Sequence, residues 1–184
     1  SKILEQLELK SEEKFAIIRL VSWNASHDIG QSGISQTILE KLINEIKKYS
    51  KVFITSESEL PQKLEKYKLH INPTEIHNVL YFSNLFIGEG ATMASECAIL
   101  GTPSIYINSL TAGTLEAQEK DGLLNIFQSG EEVITKAIDI LKNDNSKDEQ
   151  RKICNKVLES KIDVNQFIEQ FILGYPKNIN KETN

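Results

Sequence analysis

Cysteine is scarce in this sequence. Cys97 and Cys154 are the only two in 184 residues. They lie far apart and form no Cys-x-x-Cys pair, so two reduced, buried thiols are expected rather than a disulfide framework or a redox motif. Three histidines and two cysteines without ligand spacing leave no zinc pattern, so no metal is expected. A Gly-x-x-x-x-Gly-Lys-Ser/Thr loop is missing, which counts against a P-loop NTPase. A Gly-x-Ser-x-Gly nucleophile elbow is also missing. No apolar run approaches the roughly 20 residues of a membrane-spanning helix, and the opening "SKILEQLELK" has no signal-peptide pattern. Positive charge is in deficit: 21 Lys and Arg against 26 Asp and Glu give a formal charge of -5. That balance offers no broad attraction to nucleic acid or to anionic membranes. These absences point to a cytoplasmic protein with no cofactor, no nucleic-acid partner and no membrane insertion. Ser1 is not a natural initiator, so the chain is expected to be processed, tagged or cut from something longer.

What is present is a regular alternation. Hydrophobic residues make up 40% and charged residues 26% of the chain, ordinary for a soluble globular protein. Strand candidates are "KFAIIRLVSW" (14–23), "KVFITSE" (51–57), "KLHINP" (68–73), "NLFIGEG" (84–90), "PSIYIN" (103–108) and a weaker "LLNIF" (123–127). Between them lie helix candidates. Residues 34–50 carry Ile34, Ile38, Leu42, Ile43 and Ile46 on one stripe. "ELPQKLEKY" has Pro61 near its start, Thr74 stands where it would cap "TEIHNVLYFS", and Gly101 closes "ATMASECAILG". "GTLEAQEKDG" is loop or short helix, "EEVITKAIDILKN" a helix, and the segment from 144 to 175 one or two amphipathic helices. The division expected is a lead-in at 1–13, a Rossmann-like domain at 14–142, a helical appendage at 143–175 and a polar, frayed tail at 176–184. The fold class expected is α/β: a doubly wound, mostly parallel sheet of about six strands with C-terminal helices. Ligands in such sheets sit beyond the carboxyl ends of the strands, near the topological switch point.

"FIGEGATMASECAILGTPSIYI" (86–107) lies at such an end. A helix N-terminus offers unpaired backbone N–H groups and a partial positive charge, which suits a phosphate. Gly90 lets a ligand approach the backbone, and Thr92 adds a hydroxyl. Met93, Cys97 and Leu100 share one helical face and pack inward. Thr92 and Glu96 are i,i+4 neighbours on another. Glu96 therefore stands about one turn beyond the anion position, where a carboxylate can accept hydrogen bonds from two vicinal ribose hydroxyls. The alternative is a solvent-facing glutamate in a well-formed helix.

"EGATMASECAILGTPSIYI" resembles the signature in the C-terminal domain of GT-B-type glycosyltransferases. It is most similar to the peptidoglycan N-acetylglucosaminyltransferase group and to the UDP-N-acetylglucosamine 2-epimerases. The spacing from Gly90 through Glu96 to Gly101 and Pro103 matches without gaps. Together with "RLVSWNASHDIGQSG" and "VFITSESELP", it also resembles domain-of-unknown-function family 354, itself GT-B-like, over most of residues 14–142. The resemblance implies the C-terminal, Rossmann-like half of a GT-B protein. In it Gly90, Ala91 and Thr92 face a diphosphate, Glu96 binds the ribose, and the loop from Ile71 to Pro73 lies near the base. It further implies a UDP-sugar or related nucleotide as partner, and a second domain or subunit to complete an enzyme that transfers or epimerises a sugar. The other possibility is a non-catalytic domain of the same fold that binds a nucleotide, a sugar phosphate or a protein.

One residue departs from the pattern. Glu89 stands where the glycosyltransferases usually have serine, and a carboxylate beside a diphosphate repels it unless a cation intervenes. Glu89 binds a sugar hydroxyl instead, or caps a neighbouring loop. The loop after the first strand, "SWNASHDIGQSGIS", holds His27 next to Asp28. The pair suits acid/base work or phosphate contact; the plainer alternative is a helix-capping Asp and a solvated His. Ser22 and Asn24 are polar contacts in the same loop. After the fifth strand, the resemblance implies donor-sugar contacts from Glu116 and Gln118; the alternative there is an exposed polar loop. His70 and His77 are read as structural.

Overall fold

The computed structural model describes residues 2–22, 33–109, 113–128 and 130–175. Among them five strands form one parallel sheet: β1 (Phe15–Leu20), β2 (Lys51–Ser56), β3 (Leu85–Gly88), β4 (Ser104–Ile107) and β5 (Asn125–Phe127). The order across the sheet is β2-β1-β3-β4-β5. The helices are α1 (Lys2–Gln6), α2 (Gln36–Ile46), α3 (Ile76–Phe82), α4 (Ala91–Ile99), α5 (Gly113–Lys120), α6 (Glu132–Lys142), α7 (Ser146–Glu159) and α8 (Val164–Gly174). Short 3-10 turns span Gln62–Tyr67 and Pro73–Glu75.

Successive strand residues face opposite sides, and two apolar layers result. Phe15, Ile17, Phe86 and Tyr106 join residues of α1, α3, α4, α5 and α7, among them Leu80, Cys97, Leu115 and Cys154. Ala16, Ile18, Leu85, Ile87, Ile105 and Ile107 join α2 and α6. β3 and β4 are buried along their whole length, as strands covered on both faces must be. Each fully buried Ile, Leu or Phe contributes roughly 1.5–3 kcal/mol. On α2 the buried stripe is Leu39, Leu42, Ile43 and Ile46, with Leu39 rather than Ile38 facing inward, and Ser35 accepts from the Ile38 N–H as its cap.

The expected strand at 68–73 does not form. Lys68 makes a single bridge to Ile54, and the Leu69 N–H donates to the Ile54 carbonyl. Asn72 then caps the turn that starts at Pro73, accepting from the Thr74 N–H. Thr74 is inside that turn and is not the cap of α3. A proline with no N–H, following a capping asparagine, turns the chain before a second ladder bond can form. The sheet is therefore one strand smaller than expected among the described residues.

The chain runs from β1 through α2 to β2 on one side, then crosses β1 to build β3 on the other. The reversal lies between β1 and β3. Their carboxyl ends, Val21–Ser22 and Glu89–Gly90, bound the switch crevice.

Candidate functional site

Two glycines flank Glu89 for different reasons. A Cβ at Gly88 would clash with the Phe86 ring and lie 3.2 Å from Arg19 Cβ, so a side chain there requires the Phe86 ring to shift. Gly90 has ordinary angles (φ -90°, ψ 122°), and a Cβ on it would meet only Val21 Cγ1, at 3.5 Å. Gly90 is the N-cap of α4, and no described side chain makes a capping hydrogen bond there. Ala94, Cys97 and Ala98 are buried against the sheet, small enough to bring the helix in close. Thr92 is exposed and Ala91 half-buried at the open end. The first amides of α4 thus lie at the edge of the switch crevice with no side-chain acceptor among the described residues.

Glu89 is 4% exposed. One carboxylate oxygen accepts from the Val21 N–H at 2.9 Å, the other from the Ile34 N–H at 2.8 Å. Its carbonyl accepts from the Asn108 side-chain amide at 2.9 Å, where Asn108, itself buried, ends β4. Of the two uses considered for Glu89, the observed contacts are those of a loop cap.

Glu96 lies one turn into α4, on the side shared with Thr92. Its carboxylate is 40% exposed and stands 3.3 Å from His77 Nε2 of α3. Glu96 also acts on Cys97. Burial, and secondarily the Glu96 charge, push that thiol well above its usual range, so it stays protonated and inert.

The other expected residues distribute as follows. The Ser22 N–H donates to Glu57, whose other oxygen accepts from Arg19 at 2.8 Å. Ile71 is half-buried against the layer that contains α3 and α4. Glu116 is exposed in the first turn of α5. Gln118 donates to Ser95 Oγ at 2.7 Å, tying α5 to α4, while its buried carbonyl oxygen has no partner among the described residues. Asn24, His27 and Asp28 lie outside the described residues. Glu89, Gly90, Ala91, Thr92 and Ser22 therefore come together at the crevice. Gln118 reaches α4 from the β4 side.

Three residues with a place in this arrangement were not singled out for it beforehand: Arg19, Asn108 and His77. Arg19 alternates with Phe15 and Ile17, on the α4 side of β1, and donates to Thr55 Oγ1 at 2.7 Å and to Glu57. A lone charge inside "FAIIRL" was the available signal. His77 lies 19 positions before Glu96, too far for any local pattern to pair them. No group of three or more metal-ligating side chains occurs among the described residues. A cavity of about 250 Å³ opens at the opposite edge, lined by Pro103 and Asn125 before and at the starts of β4 and β5 and by α6 and α7, away from the crevice. No described helix is long and apolar enough to cross a membrane.

Residues 1–169 match the family described as "Protein of unknown function (DUF354)". The chain belongs to that family. Curated proteins provide no significant match to this family member. Solved structures do. A putative UDP-N-acetylglucosamine 2-epimerase from Listeria monocytogenes aligns at a TM-score of 0.57 and 15% identity, over 86% of this chain and 46% of the other. The wall teichoic acid polymerase TagF aligns at 0.54 and 15%, over 100% and 48%. The spinosyn rhamnosyltransferase SpnG, complexed with thymidine diphosphate, aligns at 0.51 and 12%, over 82% and 43%. At such identities the likeness is one of fold: this DUF354 chain has the Rossmann-like, GT-B-like architecture. It spans less than half the length of those three proteins.

Proposed function

We propose that this chain is the nucleotide-sugar-binding half of a GT-B-like enzyme, with a UDP-sugar as ligand. The observation that carries the proposal is the start of α4 at the switch crevice, uncapped by any described side chain, with Glu96 one turn deeper on the Thr92 side. In this reading the amides of Ala91 and Thr92 receive the diphosphate, Glu96 accepts from the ribose hydroxyls, and Ile71 flanks the base. Ser22, Asn24, Glu116 and Gln118 make further polar contacts with the ligand. The thymidine diphosphate carried by the SpnG complex supports a nucleotide diphosphate as the class of ligand. Helix-start amides oriented toward a departing diphosphate stabilise the charge that develops as the glycosidic bond breaks. His27 and Asp28 would supply acid/base function, and a second domain or subunit would bring the acceptor.

The Glu96–His77 pair favours a second reading, because a carboxylate already engaged by a neighbouring helix has a structural use. On that reading the fold binds a nucleotide, a sugar phosphate or a protein without turning anything over. Thermal unfolding with UDP, UDP-N-acetylglucosamine and GDP separates the two. A ligand at about 100 times its dissociation constant adds roughly 2.7 kcal/mol to stability. The proposal expects a shift with UDP or the UDP-sugar that Glu96→Ala removes. No shift with any of the three, or an undiminished shift in Glu96→Ala, favours the second reading.

A further inference from the structure

Glu89 stands where the resembled pattern has serine, and its contacts can be read from geometry. Its carboxylate is buried, and among the described residues each oxygen accepts from a backbone N–H. Val21 follows β1 and Ile34 precedes α2, so the two donors stand on either side of the 23–32 connection. A third bond, from Asn108 to the Glu89 carbonyl, holds the same residue from the end of β4. One residue thus joins the carboxyl ends of β1, β3 and β4 around the crevice, through its carboxylate to Val21 and Ile34 and through its carbonyl to Asn108. Only a carboxylate of this length suits the task. A glutamine would offer one acceptor and turn its NH2 toward the second N–H, where donor faces donor. An aspartate would keep the charge but lose a methylene of reach.

We infer that Glu89 is the positioning residue of the crevice: an internal anion that pins both ends of the 23–32 connection and touches no ligand itself. Resting on the nucleotide-binding proposal, this also answers the repulsion that a carboxylate beside a diphosphate would cause. The charge is turned away, toward two N–H dipoles that stabilise it. What remains for the ligand is the start of α4.

The test compares the wild type with Glu89→Gln and Glu89→Asp by residue-resolved amide exchange and by calorimetric titration of UDP. In the wild type, the Val21 and Ile34 amides are expected to be protected. In Glu89→Gln, exchange at one of the two, the amide left facing the NH2 group, should rise about tenfold or more, as expected on losing a charge-assisted hydrogen bond, while the Ala16 to Ile18 amides stay unchanged. UDP affinity should fall about tenfold with it, and should fall similarly in Glu89→Asp, because the site uses both the second acceptor oxygen and the full reach of the side chain. Unchanged exchange at both Val21 and Ile34 in Glu89→Gln overturns the inference. So does UDP binding that is unaltered or tighter in Glu89→Gln, or lost in Gln but kept in Asp. If the wild type binds none of the nucleotides, the functional proposal fails on its own account, and the exchange at the two amides alone decides whether Glu89 is the anchor.

Discussion

Gly101 adopts a φ of +69°, and a Cβ there would lie 2.8 Å from Arg151 Cγ and 3.2 Å from its Cα. Gly90, at the other end of α4, has neither constraint. The two substitutions should therefore behave differently. Gly101→Ala is expected to cost roughly 1–3 kcal/mol, from left-handed backbone strain and contact with α7. Gly90→Ala should leave stability within about 0.5 kcal/mol while weakening any ligand seated against the α4 amides. Denaturant unfolding with and without UDP measures both quantities. A Gly90→Ala variant as unstable as Gly101→Ala would mean that the start of α4 is closed by its own packing and not open to a ligand.

At the scale of elements, α7 binds to the sheet layer through two contrasting groups. Cys154 is buried, and its Sγ–H donates to the Ile99 carbonyl. Lys147 reaches the Ser83 carbonyl at 2.8 Å, with its ammonium over the Tyr81 ring alongside the Arg151 guanidinium. Burial first, then the Arg151 charge, bring the Lys147 ammonium down to about 7; the nearby Asp148 offsets this in part. The unfolded chain keeps that proton to about pH 10.4. Between those limits the unfolded state binds more protons, so this group makes stability rise with pH from about 7 upward. Below about 7 both states are protonated and the contribution is flat. Cys97 and Cys154 act in the opposite sense, because burial raises both thiols. Unfolding releases their protons above about pH 8.5, which lowers stability there. Unfolding midpoints between pH 7 and 8.5 should therefore rise in the wild type and stay flat in Lys147→Met; a Lys147→Met variant with the same slope would locate the titration elsewhere.

The same scale explains what was legible beforehand. The strand–helix–strand from 85 to 107 was readable because turn chemistry and apolar runs agree over short distances: Gly-Glu-Gly leads in, Gly-Thr-Pro leads out. "KLHINP" was misread because its apolar alternation suits a strand, whereas the outcome turned on an Asn72 cap before Pro73. The burial of Glu89 was out of reach. Its donors are backbone amides 68 and 55 positions away, and no side-chain pattern records a backbone amide. For the site, the position of α4 and its glycine N-cap were legible, but the Glu96–His77 pair and the Arg19–Glu57 link depend on how α3 and β2 pack.

Across the whole molecule, α8 is the element that the core does not use. None of its residues is buried. Val164, Phe167, Ile168, Phe171 and Ile172 are each about half exposed or more, with Phe167 and Phe171 stacked at 6.4 Å and Tyr175 following at 6.5 Å. A contiguous apolar face of this kind attracts hydrophobic probes and promotes association. Phe171→Glu should lower the fluorescence of a hydrophobic dye and any concentration-dependent association, while shifting stability by no more than about 0.5 kcal/mol. A larger loss of stability would show that Phe171 is packed against the sheet layers after all. The position of β1 has a different consequence, one of timing. Ala16 pairs with Val52 on one side and with Leu85 on the other. During synthesis at about 5–20 residues per second, the first-made strand waits on the order of several seconds for its second neighbour. Throughout that interval the future centre of the sheet is a nascent edge, which makes the stage before Leu85 leaves the ribosome the one at which a chaperone has most to protect.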